Sequence, residues 1–150
     1  GDPSDWPKSG ASDVAVGRLG RDRFLATIEP WHGNNVAVYR RDKSGWTRHV
    51  IDEAIADGHT IVAGDFDGDG RDEIVVGERQ GKRSAYVYRN TRPTEHAWSK
   101  EPLDAGDMAA AGCAVADLNA DRSLDVVCIG TATANLKWYE NRHRARRARD

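Results

Sequence analysis

Carboxylate side chains recur at alternate positions in the segment Asp65-Phe66-Asp67-Gly68-Asp69-Gly70-Arg71-Asp72-Glu73. Ca²⁺ takes about six to eight hard oxygen ligands, and alternate carboxylates on a tight turn can converge on one such ion. Gly68 and Gly70 permit the left-handed backbone that this kind of turn needs. An acidic turn without an ion is the alternative, but converging carboxylates repel one another when no cation is present. The spacing predicts a Ca²⁺ site formed by Asp65, Asp67, Asp69, Glu73 and the carbonyl of Arg71.

A second segment with the same spacing of oxygen-bearing side chains spans residues 117–125. Asparagine supplies a neutral oxygen at its third position, and Arg122 replaces a turn glycine at a cost in backbone strain. Residues 16–22 take the matching place earlier in the chain, but they keep one acid and two arginines, so no ion is expected there. We expect weaker Ca²⁺ binding in the second segment, through Asp117, Asn119, Asp121, Asp125 and the carbonyl of Ser123.

The two acidic segments are parts of a longer internal repeat. Asp65 lies 52 residues before Asp117, and Trp46 lies 52 residues before Trp98. Each unit contains short segments rich in Val, Ile, Tyr and Trp, separated by Gly, Asp, Asn and Pro, which is typical of β-strands. Four strands per unit at a period of about 50 residues predict the blades of a β-propeller.

The predicted fold class is therefore all-β, with about three four-stranded antiparallel blades. Their expected bounds are residues 12–52, 53–104 and 105–141, and the last blade ends after its third strand. Propeller rings close with about four to eight blades. The chain is expected to be part of a ring, or a protomer whose ring is completed by further blades, for example by homo-oligomerisation. Residues 142–150 form a basic tail that is predicted to be disordered.

Composition narrows the class of protein. The chain has 150 residues, the usual size of one domain, and a formal net charge of -2, which gives no general attraction to nucleic acid. No apolar run approaches the roughly 20 residues of a membrane span. Cys113 and Cys128 lie in apolar runs and are expected to be buried free thiols, although a single disulfide remains open. Residues 1–5 show no signal peptide.

Turns at the opposite end of the predicted blades carry side chains of a different kind. A tryptophan ring can stack on a sugar while polar groups bond its hydroxyls, and imidazole nitrogens can hold an ion such as Zn²⁺. A histidine can also remove a proton next to a carbonyl, because its pKa lies near neutrality. Ordinary turn residues with surface histidines are the alternative. The candidates are His32 and His59 as catalytic groups, and Glu29, Trp31, Glu78 and Arg79 as ligand-binding groups.

The segments 65–90 and 117–141 resemble FG-GAP/VCBS repeats, the Ca²⁺-loop blades of integrin-type and microbial propellers. In both segments an acidic loop is followed by an apolar strand and then by an aromatic strand that ends in asparagine. The resemblance implies a calcium-binding propeller module with a carbohydrate or protein ligand and an extracellular or cell-surface location. A purely structural set of blades is a further possibility.

Residues 29–33 and 131–139 also resemble the propeller region of aldos-2-ulose dehydratase-like proteins. That resemblance implies metal-dependent elimination of water from keto-sugars such as 1,5-anhydrofructose, with His32 and His59 as metal ligand or base. The implied ion at this end is Zn²⁺ or Mg²⁺. Ala111 takes the place of His59 in the third unit, so this chain has no third histidine there.

Overall fold

The computed structural model describes residue 4, residues 8–92 and residues 96–143. These residues form eleven β-strands in three antiparallel sheets, and none of them lies in an α-helix. Accordingly, this part of the chain has no helix that is long and apolar enough to cross a membrane. The predicted all-β class of propeller blades is confirmed, and the three sheets do not close a ring.

Each strand pairs with its neighbour in the chain, which is the order of a propeller blade. Sheet 1 contains β1 (Val14–Leu19), β2 (Asp22–Glu29), β3 (Asn35–Asp42) and β4 (Gly45–Asp52). Sheet 2 contains β5 (Gly58–Gly64), β6 (Glu73–Glu78), β7 (Ala85–Arg92) and β8 (Ala97–Asp104). Sheet 3 contains β9 (Ala110–Ala116), β10 (Asp125–Gly130) and β11 (Asn135–Tyr139).

The first strands of the three sheets lie side by side, with β5 between β1 and β9. Asp13 Oδ2 accepts a hydrogen bond from Ile61 N at 2.9 Å. Thr60 Oγ1 accepts a hydrogen bond from Cys113 N at 3.0 Å. Each link joins a side chain at the start of one inner strand to the backbone of the next inner strand. The same kind of hydrogen bond therefore connects sheet 1 to sheet 2 and sheet 2 to sheet 3.

Two apolar cores fill the spaces between neighbouring sheets. Phe24, Ile28 and Val38 of sheet 1 meet Ile61 and Tyr88 of sheet 2, and all five side chains are at most 2% exposed. Burial of each such side chain contributes about 1.5–3 kcal/mol. The core between sheets 2 and 3 contains Val75, Met108, Ala110, Val126 and Cys128. The turns at both ends of the sheets are therefore held by packed strands.

The expectation of free thiols is wrong, because Cys113 and Cys128 form a disulfide. The two residues are direct partners in the register of β9 and β10, with their Cα atoms 4.2 Å apart. Apolar neighbours in the sequence predict burial, and Cys128 is indeed only 1% exposed. They do not reveal which residue on the next strand lies opposite, and that register decides the pairing.

The predicted basic tail falls mostly outside the described residues. Arg142 and His143 are described, and Arg142 pairs with Glu140 at 3.0 Å. Residues 144–150 lie outside the described residues, so the disorder of the tail remains a prediction.

Candidate functional site

The acidic turn of sheet 2, residues 65–72, joins β5 to β6. Gly64 and Glu73 are paired where the two strands meet the turn. Asp65, Asp67 and Glu73 each place a carboxylate oxygen so that these atoms all lie within 4.8 Å of one another. Within the described part of the chain, no other group of three histidine, cysteine or acidic side chains comes together in this way. The structure thus brings together three of the four acids predicted as calcium ligands.

Backbone amides of the turn hold these carboxylates in place. Asp65 accepts hydrogen bonds from Asp69 N at 3.1 Å and from Gly70 N at 3.0 Å. Asp67 Oδ1 also accepts from Asp69 N, at 3.1 Å. Gly68 and Gly70 have φ angles of 73° and 85°, the left-handed region that glycine adopts without steric cost. The glycines of the sequence therefore let the turn fold back so that its acids converge.

Asp69 is the predicted ligand that the turn places elsewhere. Its Oδ2 lies 2.9 Å from Arg71 Nε and 2.5 Å from Arg71 Nη2, and its Oδ1 accepts from Arg71 N at 2.8 Å. The hydrogen bond from the Arg71 side chain, opposed by burial, lowers the pKa of Asp69. Asp69 is thus an ionised partner of Arg71 rather than a member of the three-acid cluster.

Glu73 is the buried member of the cluster, at 4% exposure. Its Oε2 accepts a hydrogen bond from Phe66 N at 2.9 Å. Burial raises the pKa of Glu73 to about 7, although the bond from Phe66 opposes it, and the nearby charge of Asp67 adds to the rise. A bound cation would favour the charged form of this side chain, because an opposite charge at short range offsets desolvation.

The acidic turn of sheet 3, residues 117–124, repeats the same hydrogen bonds. Asp117 accepts from Asp121 N at 3.1 Å and from Arg122 N at 2.9 Å, and Asn119 Oδ1 accepts from Asp121 N at 3.1 Å. Ala120 and Arg122 take the left-handed positions that glycines hold in sheet 2, with φ angles of 60° and 73°. This turn therefore has the same shape but a more costly backbone.

The remaining predicted ligands of sheet 3 are engaged by the protein. Asp125 is 0% exposed, and its oxygens accept from Leu118 N at 3.1 Å and Asn141 N at 2.8 Å. Asn119 Nδ2 donates to Asp121 Oδ2 at 3.1 Å. At Ser123 the predicted ligand is the carbonyl, and the bond that engages this residue is a different one, from its Oγ to the carbonyl of His143 at 3.0 Å. Fewer oxygens of this turn are left for an ion than in sheet 2.

Sheet 1 carries a phenylalanine where the other sheets carry the last acid of the turn. Phe24 is paired with Gly17 in β1–β2, just as Glu73 is paired with Gly64 in β5–β6. Its ring is 0% exposed, so an apolar side chain fills the matching position. Arg18 N donates to Asp72 Oδ2 at 2.9 Å, which joins this turn to the one in sheet 2. The expected lack of an ion in sheet 1 remains a prediction.

The opposite end of the sheets carries a histidine cluster formed by His32, Asp57, His59 and Arg79. His32 Nδ1 lies 3.0 Å from Asp57 Oδ1 and 2.7 Å from Arg79 Nη2. Arg79 Nη2 also donates to Asp57 Oδ2 at 3.0 Å. His32 and Asp57 both have a φ angle of 53°, a left-handed conformation that non-glycine residues adopt mainly where the surrounding structure imposes it.

Sequence reasoning missed Asp57, which stands directly before Gly58 at the start of β5. An Asp-Gly pair between two strands is typical of a plain turn, and nothing in its spacing points to Arg79. The structure shows the link because the turn into β5 and the turn after β6 lie side by side. Arg79 N bonds the carbonyl of Asp57 at 3.1 Å.

The environment of His32 favours its neutral form. Burial lowers the pKa of His32, and the charge of Arg79 lowers it further, while Asp57 opposes both. The His59 ring lies 5.0 Å from the His32 ring, and His59 Nδ1 is buried without a hydrogen-bond partner among the described residues. Trp31 stacks on His32 at 3.8 Å and remains 38% exposed.

Glu29 and Glu78 make their hydrogen bonds with donors other than the histidines. Glu29 accepts hydrogen bonds from Tyr39 OH at 2.5 Å and from Arg48 Nε at 2.8 Å. Glu78 is 2% exposed and accepts from the backbone amides of Ala56 and Lys82, each at 3.0 Å. Both carboxylates are occupied by donors from the chain itself, and their predicted roles in ligand binding remain predictions.

An open cavity of about 510 Å³ borders the histidine cluster. Asp57, Arg79 and Arg83 line it from sheet 2, and Thr131 and Ala132 line it from sheet 3. The cavity combines cationic groups with hydroxyl and carboxylate oxygens, which suits a polar ligand.

Comparisons with known proteins agree with this architecture. Residues 65–128 match the FG-GAP-like repeat family. Aldos-2-ulose dehydratase of Phanerodontia chrysosporium is 38% identical to the chain over 87 residues, which cover 47% of this chain and 10% of that protein. The chain thus spans about a tenth of the length of this relative. The predicted resemblance to FG-GAP-type propeller repeats and to aldos-2-ulose dehydratase is confirmed.

Proposed function

We propose that the chain is a calcium-binding β-propeller repeat module. The observation that carries this function is the convergence of Asp65, Asp67 and Glu73 oxygens within 4.8 Å of one another. Hard carboxylate oxygens are the ligands that Ca²⁺ prefers in proteins. Bound calcium would offset the mutual repulsion of these acids and the desolvation of Glu73, and it would hold the β5–β6 hairpin in one conformation.

The turn in sheet 3 is the weaker site of this proposal. At the three positions that converge in sheet 2, it keeps two acids, Asp117 and Asp125, on the same backbone scaffold, with the neutral oxygen of Asn119 at the third. Ca²⁺ affinity depends on the number of charged ligands. Two sites of unequal affinity are therefore expected, with sheet 2 filled first.

Isothermal titration with CaCl₂ tests the calcium sites. The wild-type chain, stripped with EDTA, should show a tight and a weak site together with a rise in melting temperature. Asp65→Ala should remove the tight site, because it deletes a ligand that also holds two amides of the turn. Asp42→Ala, which removes an exposed acid at the end of β3, is the matched control. If the wild-type protein gives no heat and no thermal shift with CaCl₂, the proposal is wrong.

Carbohydrate is the ligand we propose for the opposite end of the module. Trp31 stacks on His32 with its ring 38% exposed, and the 510 Å³ cavity shares Asp57 and Arg79 with the histidine cluster. An aromatic face with convergent polar groups suits a sugar. A glycan array should show binding that Trp31→Ala abolishes and that Trp46→Ala, at another exposed tryptophan, leaves intact. An array without signal would reject this ligand class, with a protein ligand then remaining.

A sugar lyase is the second candidate function, favoured by the contacts of His32 and by the identity to aldos-2-ulose dehydratase. In such a dehydration a base takes the proton from a carbon next to the keto group. The C–O bond on the adjoining carbon then breaks, and the departing hydroxyl takes back the proton from the base. The products are water and an enone. His32 is the proposed base, because its lowered pKa keeps it neutral and Asp57 and Arg79 hold its Nδ1 side.

Enone absorbance during incubation with 1,5-anhydrofructose tests the lyase. His32→Ala should abolish the signal, and His49→Ala, on β4, should leave it unchanged. Absence of absorbance with the wild-type chain would reject the activity for this chain. Calcium titration and enone formation are separate measurements, so either function can fail alone.

A Zn²⁺ or Mg²⁺ ion does not fit the histidine cluster as it stands. Arg79 Nη2 lies 2.7 Å from His32 Nδ1, where it would oppose a cation electrostatically. His59 Nδ1 is unpartnered, but His32 and Asp57 are already bound to Arg79. The lyase proposal therefore uses no metal step.

An oxidising, extracellular or cell-surface location is part of the proposal. The disulfide between Cys113 and Cys128 supports it, because such bonds persist mainly outside the reducing cytosol. Labelling of the chain's thiols after isolation under acid quench would find none if this location is right. Full labelling would argue against it.

A further inference from the structure

The exposed large apolar side chains of the described residues, Trp31 apart, lie on two sheet faces. One is the outer face of sheet 1, which we call the leading face, and the other is the outer face of sheet 3, the trailing face. The leading face carries Val14, Val16 and Trp46, which are 51–59% exposed. The trailing face carries Leu118, Ile129, Leu136 and Trp138, which are 48–68% exposed. Apolar patches of this kind mark interaction surfaces.

The trailing face repeats positions that are buried elsewhere in the same chain. Ile129 is paired with Leu136 in β10–β11, as Ile28 is paired with Val36 in β2–β3. Ile28 and Val36 are 0% exposed, because they pack against sheet 2. Trp138 likewise takes the position of Val38, which is 1% exposed. The trailing face is therefore the same half of an inter-sheet interface, without its partner.

The leading face repeats the other half of that interface. Val14 and Trp46 match Ile61 and Trp98 in the strand order and spacing of sheet 2. Ile61 is 2% exposed against sheet 1, and the Trp98 ring meets Phe24 edge-on at 5.7 Å. The two open faces are thus the complementary halves of an interface that the chain already forms twice internally.

We propose that a second copy of this chain covers both faces, the trailing face of each copy docking on the leading face of the other. Two copies contribute six sheets, and closed propellers contain about four to eight blades. A head-to-tail contact closes into a ring when the rotation between copies completes a circle. The inference rests on the propeller module proposed above and names the source of its further blades.

A polar contact between neighbouring sheets favours a second copy of this chain, rather than an unrelated blade, as the partner. In sheet 2, Tyr88 OH and Lys100 Nζ reach Asp52 at the end of the fourth strand of sheet 1, at 2.5 and 2.6 Å. In sheet 3, Tyr139 OH and Lys137 Nζ reach Asp104 of sheet 2, at 2.9 and 2.8 Å. Both tyrosines therefore use a carboxylate from the preceding sheet's fourth strand.

Sheet 1 does not need such a carboxylate. Tyr39 and Arg48, paired like Tyr88 and Lys100, bind Glu29 of their own sheet. Sheet 3 has three strands in the described part of the chain, and no fourth-strand acid matching Asp52 or Asp104 is among these residues. A leading face that supplies its own carboxylate can therefore dock on strands β9–β11 of a second copy without a fourth-strand acid from that copy.

Mass in solution, measured by light scattering on the full chain, tests the proposal. The wild-type chain should have twice its 16.5 kDa mass at micromolar concentration. Leu136→Lys on the trailing face and Val16→Lys on the leading face should each raise the dissociation constant at least ~100-fold, since each buries an unpaired charge. Ala54→Lys, at an exposed loop position outside both faces, is the matched control and should keep the doubled mass.

Mixing the two face variants distinguishes head-to-tail docking from other dimers. Leu136→Lys keeps a wild-type leading face and Val16→Lys keeps a wild-type trailing face, so the mixture should regain the doubled mass through one intact interface. A dimer that persists in Val16→Lys alone would overturn the proposal in favour of a contact between two trailing faces. A wild-type monomer would overturn it outright. Because calcium heats are measured separately, loss of the calcium sites would not be mistaken for loss of the dimer.

Discussion

The acidic turns of sheets 2 and 3 have the same hydrogen bonds but different charges. In each turn the first acid accepts two amides, and the third residue accepts one of them as well. Sheet 2 brings three acids within 4.8 Å and has glycines at its left-handed positions. Sheet 3 has asparagine at the third position, with Ala120 and Arg122 at the left-handed ones.

The comparison shows that the backbone scaffold and the ligand chemistry can vary separately. Amide donors keep the shape of the sheet 3 turn although one charge is missing and two glycines are replaced. Sheet 1 goes further, since the buried ring of Phe24 takes the position of the last acid. A repeat can therefore lose its proposed ion and remain a blade, as long as an apolar group or backbone donors fill the same space.

The largest difference between the two turns should come from the pH dependence of Glu73. Burial raises the pKa of Glu73 to about 7, above its ordinary value of 4.5. Between these values the folded state keeps a proton that the unfolded state has lost. Raising the pH from 4.5 to 7 should therefore reduce the stability of the calcium-free fold by about 3 kcal/mol through this group.

Urea unfolding across this pH range in EDTA measures the effect. Glu73→Gln should flatten the curve, and Glu101→Gln, at an exposed acid of β8, should not. Saturating CaCl₂ should also remove the decline, because the ion favours the charged carboxylate. If the wild-type and Glu73→Gln curves fall in parallel, the buried-acid explanation is wrong.

Exchanging the third residues of the turns should exchange their calcium affinities. Asp67→Asn should weaken the sheet 2 site about tenfold, and Asn119→Asp should strengthen the sheet 3 site by a similar factor, because each changes one ligand charge. The double exchange should leave two sites with reversed order. Calcium titration of all three variants measures this, and unchanged affinities would show that position three does not bind the ion.

The left-handed positions should account for a smaller difference in stability. No atom lies within 4 Å of a Cβ added at Gly70, so Gly70→Ala tests the backbone without a clash or an added charge. It should cost about 1 kcal/mol at a φ angle of 85°, and Arg122→Gly in sheet 3 should recover about the same amount. Thermal unfolding in EDTA should show opposite shifts of about 2–4 °C. Shifts of the same sign would mean that side-chain contacts dominate.

The smallest effect is expected at the Arg71–Asp69 pair. Both side chains are more than a third exposed, at 42% and 34%. Exposed ion pairs of this kind contribute about 0–1 kcal/mol to the free energy of unfolding. Arg71→Ser, which copies the residue at Ser123, should change stability little but strengthen calcium binding a fewfold by removing a cation. Calcium titration at low ionic strength measures it. Weaker binding in the variant would show that Arg71 positions the turn.

Sequence periodicity alone was sufficient for the repeat, the all-β class and the acidic spacing, because these features are local. Alternating apolar residues such as Phe24, Ala26 and Ile28 of β2 lie on the buried side of their strand, because successive side chains of a strand point to opposite faces. The spacing of Asp65, Asp67 and Glu73 likewise lies within one hairpin, so the sequence predicted that they would converge.

Tertiary structure decided the features that join distant parts of the chain. Strand register placed Cys113 opposite Cys128, and adjacent turns brought Asp57 to His32 and Arg79 while Glu29 went to Tyr39 and Arg48. The packing of Asp69 against Arg71 also depended on which side chain met which inside the folded turn. Register and inter-sheet packing follow from the sum of many contacts, so no single stretch of residues reports them.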